Sequence, residues 1–109
     1  MGGISLAPGL RVAVWLELCR VPEERGDYKR ALSEYERLAG AHPAEREGLI
    51  AQVGAGRILL TRLDRPDQAL RLYEAVSAST VAHLDLEREI ESGIQEAKTA
   101  LSQGVSLLT

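Results

Sequence analysis

The chain has 109 residues, enough for one domain, and its aromatic content is 4% with no Phe. A core would therefore consist mainly of Leu, Ala, Val and Ile, a mixture that favours packed helices and argues against a β-sandwich. The formal net charge of −3 gives no reason to expect nucleic-acid binding. The acidic excess lies in the last third, where Arg88 and Lys98 stand against Glu74, Asp85, Glu87, Glu89, Glu91 and Glu96.

A single cysteine, Cys19, excludes an internal disulfide and fits a reducing compartment, so we expect a cytoplasmic protein. The first 19 residues are apolar in places, but they lack a basic leader and are interrupted by Pro8, Gly9, Arg11 and Glu17. Neither a signal peptide nor insertion into a membrane is expected. Eleven arginines against two lysines point to a GC-rich bacterial source.

The first helix is predicted over about residues 8–21, because Pro8 is tolerated in a first helical turn and apolar residues follow at helical spacing. Its predicted packing stripe consists of Leu10, Val14 and Leu18, together with Trp15. Pro22 is expected to end or kink this helix, since an internal proline loses a hydrogen bond and clashes with the preceding turn.

The second helix is predicted within residues 26–43, which combine a helix start, an apolar face and a helix stop. Asp27 can accept a hydrogen bond from the free N–H groups of the first turn. The apolar residues recur at three- and four-residue spacing: Ala31, Leu32, Tyr35, Leu38 and Ala39. Gly40 and Pro43 are expected to end the helix.

Two more helices are predicted between residues 44 and 77. The third, about residues 44–63, carries the stripe Leu49, Val53, Gly56, Leu60 and Leu63. A turn at residues 64–66 leads into the fourth, about residues 66–77, because Pro66 suits a first helical turn. Its inward residues are predicted to be Ala69, Leu70, Leu72, Tyr73 and Val76.

The fifth helix is predicted over about residues 86–102, after a connector of small residues, with Asp85 as its cap. Its stripe is Leu86, Ile90, Ile94, Ala97 and Leu101. Gly93 lies inside this helix at a cost of about 1 kcal/mol relative to Ala, which either a close helix contact or simple tolerance explains. Residues 103–109 are expected to fray.

An internal repeat is the strongest pattern in the chain. Residues 27–35 are echoed by residues 65–73, with the Ala31-Leu32 and Ala69-Leu70 pairs 38 residues apart and a Tyr four residues after each Ala. The Ala allows two helices to approach, and the Tyr fills the space under the next turn.

On these residues the chain resembles the tetratricopeptide repeat (TPR) family, whose repeat carries Trp-x-x-Leu-Gly-x-x-Tyr, then Ala-x-x-x-Phe, then Pro. The residues that carry the resemblance, with Gly26 in the connector, are Trp15, Leu18, Cys19, Gly26, Ala31, Tyr35, Pro43, Gly56, Ala69 and Tyr73. Pro22 stands at the family's Tyr position. Gly56 reaches the small-residue position of the second repeat only with one extra residue in its first helix.

The resemblance implies an all-α fold in which two antiparallel hairpins form a right-handed superhelical array. It implies a single domain over residues 1–109, with repeat 1 at about 10–43, repeat 2 at about 44–80 and a capping helix at about 85–102. It also implies a partner-binding groove formed by the first helices of the two repeats. The residues expected to line it are Leu16, Arg20, Arg57, Thr61 and Arg62. These arginines can bind carboxylates bidentately, or they can simply solubilise the helices.

The polar residues give no catalytic or metal-binding pattern. Cys19 falls at a packing position and is expected to be a buried, inert thiol, while His42 is expected to meet the free carbonyls at a helix end. Two His and one Cys without paired spacing argue against a metal site. Residues 54–56 lack the third glycine of a phosphate loop, and the carboxylates of Glu87, Glu89 and Glu91 point to different sides of a helix. We expect neither an enzyme nor a cofactor.

Two classes of function remain. The first is a non-catalytic scaffold that binds an acidic or amphipathic peptide or helix of a partner protein in the groove. The second is a structural, self-associating module, because two repeats are fewer than the three or so that usually make such an array stable, and residues 4–10 and 105–108 are apolar. The sequence leaves open the partner and whether the chain belongs to a longer protein.

Overall fold

A computed structural model describes residues 8–108, with side chains for residues 9–104. This part of the chain contains no β-strand, which confirms the predicted all-helical fold. Its α-helices are α1 (Pro8–Glu24), α2 (Tyr28–Ala41), α3 (Arg46–Thr61), α4 (Pro66–Ser77) and α5 (Glu87–Leu108), with a 3₁₀ turn at Leu84–Leu86 before α5. Residues 4–7 and the side chains of 105–108, which suggested self-association, lie outside the described residues.

Of the two outcomes expected for Pro22, an end or a kink of the helix, the first is wrong, because α1 continues to Glu24. The proline lies in the last turn, where it removes only the hydrogen bond to the carbonyl of Leu18. The end of the helix is still held, since the backbone N–H of Arg25 donates to the carbonyl of Val21 at 3.1 Å. Gly26 follows with φ of +82°, a conformation that turns the chain at low cost only for glycine.

Helix α2 begins as predicted, with the Asp27 carboxylate accepting a hydrogen bond from the Arg30 backbone N–H at 3.3 Å. It ends at Ala41, so Gly40 lies inside the helix and does not terminate it. Pro66 opens α4 as predicted, after a turn in which Asp64 has φ of +54°.

Helix α5 differs from its prediction at both ends. It runs to Leu108, whereas residues 103–109 were expected to fray. Asp85 does not cap it, because a 3₁₀ turn precedes the helix and His83 occupies the position before that turn without a side-chain capping bond. The Asp85 carboxylate instead accepts a hydrogen bond from Nη1 of Arg46 on α3 at 2.8 Å.

Each helix packs against the next one in the chain, because the short connections return the chain alongside the helix it has just left. In addition, α3 contacts both α1 and α5, so these three helices share one side of the molecule. Helix α3 is central, and it contributes to both buried clusters. The first cluster joins α1, α2 and α3, and the second joins α3, α4 and α5.

The two repeated tyrosines each lie against glycines of neighbouring helices. A Cβ added at Gly54 of α3 would lie 2.9 Å from the Tyr35 ring. The Tyr73 ring lies between α3 and α5, where an added Cβ would come within 3.1 Å of it at Gly56 and closer still at Gly93. Gly93 therefore makes a close helix contact, which decides between the two explanations left open by the sequence.

Candidate functional site

The side of the molecule shared by α1, α3 and α5 carries a network of ion pairs centred on Arg57. The Arg57 guanidinium donates from Nε and Nη2 to the two Glu23 oxygens at 2.8 and 2.9 Å, and from Nη1 to Glu89 at 2.8 Å. The Tyr35 hydroxyl donates to the same Glu23 carboxylate at 2.6 Å. Carboxylates from α1 and α5 thus meet one arginine of α3, which joins the three helices by polar contacts.

The protonation properties of this network follow from its partly buried position. Burial opposes ionisation of Glu23, but the hydrogen bonds from Arg57 and Tyr35 outweigh it and lower the Glu23 pKa. The hydrogen bond to Glu23 raises the Arg57 pKa against the opposing effect of burial. Burial, followed by the bond to Glu23, raises the Tyr35 pKa. All three groups therefore keep one charge state at neutral pH.

A second ion pair on this side joins Arg46 of α3 to Asp85, and both of its side chains are about half exposed. Arg46 and Asp85 line a depression of about 260 Å³ together with Arg20, Arg57 and Glu89. We call this depression, with Glu23, the arginine face. Arg57 and Arg46 each bind a carboxylate through two N–H groups. Arg57 was predicted to bind a partner's carboxylates in this way, but here the carboxylate comes from the chain itself.

The residues predicted to line a groove do not form one surface. Arg20 and Arg57 share the arginine face, and Nη1 of Arg20 meets Glu17 at 2.8 Å. The Thr61 hydroxyl donates to the Arg57 carbonyl at 2.7 Å, and the Arg62 guanidinium lies 4.9 Å from the centre of the Tyr28 ring.

The prediction for Leu16 is wrong, since its side chain lies in the core with 6% exposed. A partner cannot reach it while the domain is folded.

Among the repeat-signature residues, Ala31, Tyr35, Ala69 and Tyr73 are buried as expected. Trp15 is half-buried, and its ring centre lies 5.8 Å from that of His42 in an edge-on arrangement. Pro43 is exposed after α2.

Cys19 is completely buried, and burial raises the pKa of its thiol to about 11. The thiol therefore stays protonated at neutral pH, as the prediction of an inert cysteine requires. The backbone N–H of His42 donates to the Leu38 carbonyl, and its ring Nδ1 lies 2.9 Å from Glu45. Across residues 9–104, no three His, Cys, Asp or Glu side chains come together as a set that could hold a metal ion.

The outward side of α1 carries the second candidate surface. Leu10, Val14, Leu18 and Val21 are 52%, 41%, 62% and 39% exposed, whereas Val12, Leu16 and Cys19 on the opposite side are at most 6% exposed. The predicted packing stripe of this helix is therefore wrong. We call these four exposed residues the outer stripe, and they line a depression of about 500 Å³ bordered by Glu17, Arg20 and Glu24.

Sequence reasoning missed the outer stripe because α1 has two apolar faces, each with helical spacing. The buried one is Val12, Leu16 and Cys19, and the exposed one spans about three turns. One signal was available: Cys19 was already expected to be buried, and a helix that buries position 19 turns position 18 about 100° away.

The chain matches no family model, no curated protein and no solved structure. Within residues 8–108, none of the helices has both the length and the apolar character needed to cross a membrane.

Proposed function

We propose that this chain is a TPR-like, non-catalytic protein-interaction module that binds a helix of another protein on the outer stripe of α1. The observation that carries the proposal is the exposure of four large apolar side chains on one side of a helix, opposite the core. Contiguous exposed apolar surface of this kind marks interaction sites on soluble proteins. The repeated contact of Tyr35 with Gly54 and of Tyr73 with Gly93 supports the TPR-like part of the proposal.

The arginine face is a weaker candidate for the same role. An acidic segment that bound there would have to displace Glu23 and Glu89 from Arg57, and would then leave these two carboxylates without their cation. A partner on the outer stripe buries apolar side chains and disturbs at most the exposed pair between Arg20 and Glu17. Burial of apolar surface is favourable by about 25 cal/mol for each Å².

Self-association is the second candidate, because another copy could also cover the outer stripe. In a symmetric pair with antiparallel α1 helices, each border of the stripe faces the same border of the other copy. Glu17 and Glu24 lie about 60° and 80° from Val14 on one border, nearer to the facing helix than Arg20 at about 120°, so this pairing would bring carboxylates together. The charge pattern therefore favours a different partner. Sedimentation as a clean monomer at micromolar concentration would support this choice, and a stable dimer abolished by Leu18→Glu would overturn it.

The proposal is tested by affinity capture from the source cells with the wild-type chain and two variants. Leu18→Glu places a charge in the outer stripe. Leu84→Glu is the matched control, because Leu84 is 83% exposed but lies before α5, outside the stripe. We expect a captured protein that is lost with Leu18→Glu and retained with Leu84→Glu. Equal capture by both variants would place the interaction elsewhere and contradict the proposal.

A further inference from the structure

The internal repeat identifies the face of α3 that corresponds to the outer stripe of α1. When Cys19 is aligned with Gly56, 37 positions later, the three core residues of α1 fall on buried residues of α3: Val12, Leu16 and Cys19 match Leu49, Val53 and Gly56. In the same register, Val14, Leu18 and Val21 of the outer stripe match Ala51, Ala55 and Ile58.

The matching face of α3 is not exposed, because α2 covers it. Ala51, Ala55 and Ile58 are each at most 1% exposed. They belong to the buried cluster that contains Ala31, Tyr35 and Leu38 of α2. Within this one molecule, the surface that corresponds to the outer stripe is thus packed against an amphipathic helix.

The two faces differ at the position where Tyr35 meets α3. There α3 has Gly54, which leaves room for the ring, whereas α1 has Glu17 at the matching position. A helix on α1 therefore cannot place an aromatic ring there without displacing the Glu17 side chain. Val14 and Leu18 are also larger than the alanines they match, so a helix on α1 needs smaller facing residues than α2 has.

The charged border of the stripe adds a preference for a cation. Glu17, Arg20 and Glu24 border the outer stripe on one side, and Glu17 lies nearest to its centre. Arg20 meets Glu17 at 2.8 Å, but both side chains are exposed, at 44% and 67%. Because an exposed ion pair contributes little to stability, a partner's Lys or Arg can replace Arg20 at little cost.

We infer that the outer stripe binds an amphipathic helix of about three turns from another protein, with small aliphatic residues facing Val14, Leu18 and Val21. At the position where α2 has Tyr35, this helix carries Lys or Arg, which pairs with Glu17. The inference rests on the proposed function and specifies the chemistry of the partner.

The probes are two helix-locked peptides with the sequence of residues 26–43 and the substitution Leu38→Ala, which makes the facing side smaller; one also carries Tyr35→Lys and the other Tyr35→Glu. Locking is needed because an isolated helix of this length is only marginally stable. Binding to the full chain is measured by fluorescence anisotropy. We expect the Lys peptide to bind about 2- to 5-fold more tightly than the Glu peptide, as one exposed ion pair allows. The Glu17→Lys variant should reverse this preference, and Leu18→Glu should abolish binding of both peptides.

Three results would overturn the inference: no binding of either peptide, equal binding of both, or binding that is unchanged by Leu18→Glu. If the peptides fail while capture from cells still depends on Leu18, the interaction surface is retained and only the chemistry assigned to the partner is wrong. If capture fails as well, the proposed function is wrong too.

Discussion

Helices α1 and α3 occupy matching positions in the internal repeat, yet their surroundings differ. Helix α3 lies between α2 and α4, and its two faces belong to two different buried clusters. Helix α1 is covered by α2 and, to a lesser extent, by α3, so its outer stripe remains exposed. The comparison shows that an apolar helical face does not by itself reveal what covers it. In α3 the cover is part of the chain, and for α1 we propose that another protein supplies it.

Truncation to Ala should affect stability most differently at Ile58 of α3 and Val21 of α1, which match in the repeat. Ile58 is completely buried, so Ile58→Ala should lower the free energy of unfolding by about 2–5 kcal/mol. Val21 is 39% exposed, and Val21→Ala should change the free energy of unfolding by about 0.5 kcal/mol or less. Urea unfolding followed by circular dichroism measures both. A loss above about 2 kcal/mol for Val21→Ala would mean that the outer stripe is covered in the isolated chain.

The close contact between Tyr35 and Gly54 gives the next largest effect. Gly54→Ala would place a Cβ 2.9 Å from the Tyr35 ring, and we expect a loss of about 1–3 kcal/mol in the free energy of unfolding. Gly40→Ala is the control, because Gly40 also lies in a helix but has no atom within 4 Å of the added Cβ. It should be neutral or stabilise the chain by up to about 1 kcal/mol. If both substitutions stabilise equally, the tyrosine–glycine contact does not constrain the packing of α2 on α3.

The ion pair between Arg57 and Glu23 gives a smaller effect that depends on pH. Because the pKa of Glu23 is lowered in the folded chain, the ionised carboxylate stabilises the fold above its ordinary pKa. This contribution is lost as the pH falls through the lowered pKa of Glu23 in the folded chain. Arg57→Met should therefore cost about 1–2 kcal/mol at pH 7 and less at about pH 3.

Urea unfolding of the wild type, Arg57→Met and Arg62→Met at both pH values tests this prediction. Arg62 is the matched control because its guanidinium lies over the Tyr28 ring. The difference in the free energy of unfolding between Arg62→Met and the wild type should not shrink at low pH. If the loss in the free energy of unfolding caused by Arg57→Met stays constant or grows as the pH falls, the ionised Glu23 carboxylate is not stabilised by Arg57.

Local sequence signals predicted the helices well, because caps and turns depend on neighbouring residues. Asp27 caps α2 and Pro66 opens α4 as expected. The orientation of α1 was not predictable from periodicity, since Leu18 and Cys19 each belong to an apolar face. The contacts of Glu23 and Glu89 with Arg57 were missed because they join residues 34 and 32 positions apart. Such contacts depend on how the helices assemble, which no local pattern records.

The orientation of α1 is the central claim, and thiol reactivity in Leu18→Cys tests it most directly. In the native wild-type chain, Cys19 should react very slowly with a disulfide reagent such as dithionitrobenzoate, because it is buried and its pKa is raised to about 11. The new thiol in Leu18→Cys should react quickly, at one equivalent per chain, while Cys19 remains an internal control. If the new thiol is as protected as Cys19, or if Cys19 reacts quickly in the wild type, α1 does not present the outer stripe and the account is contradicted.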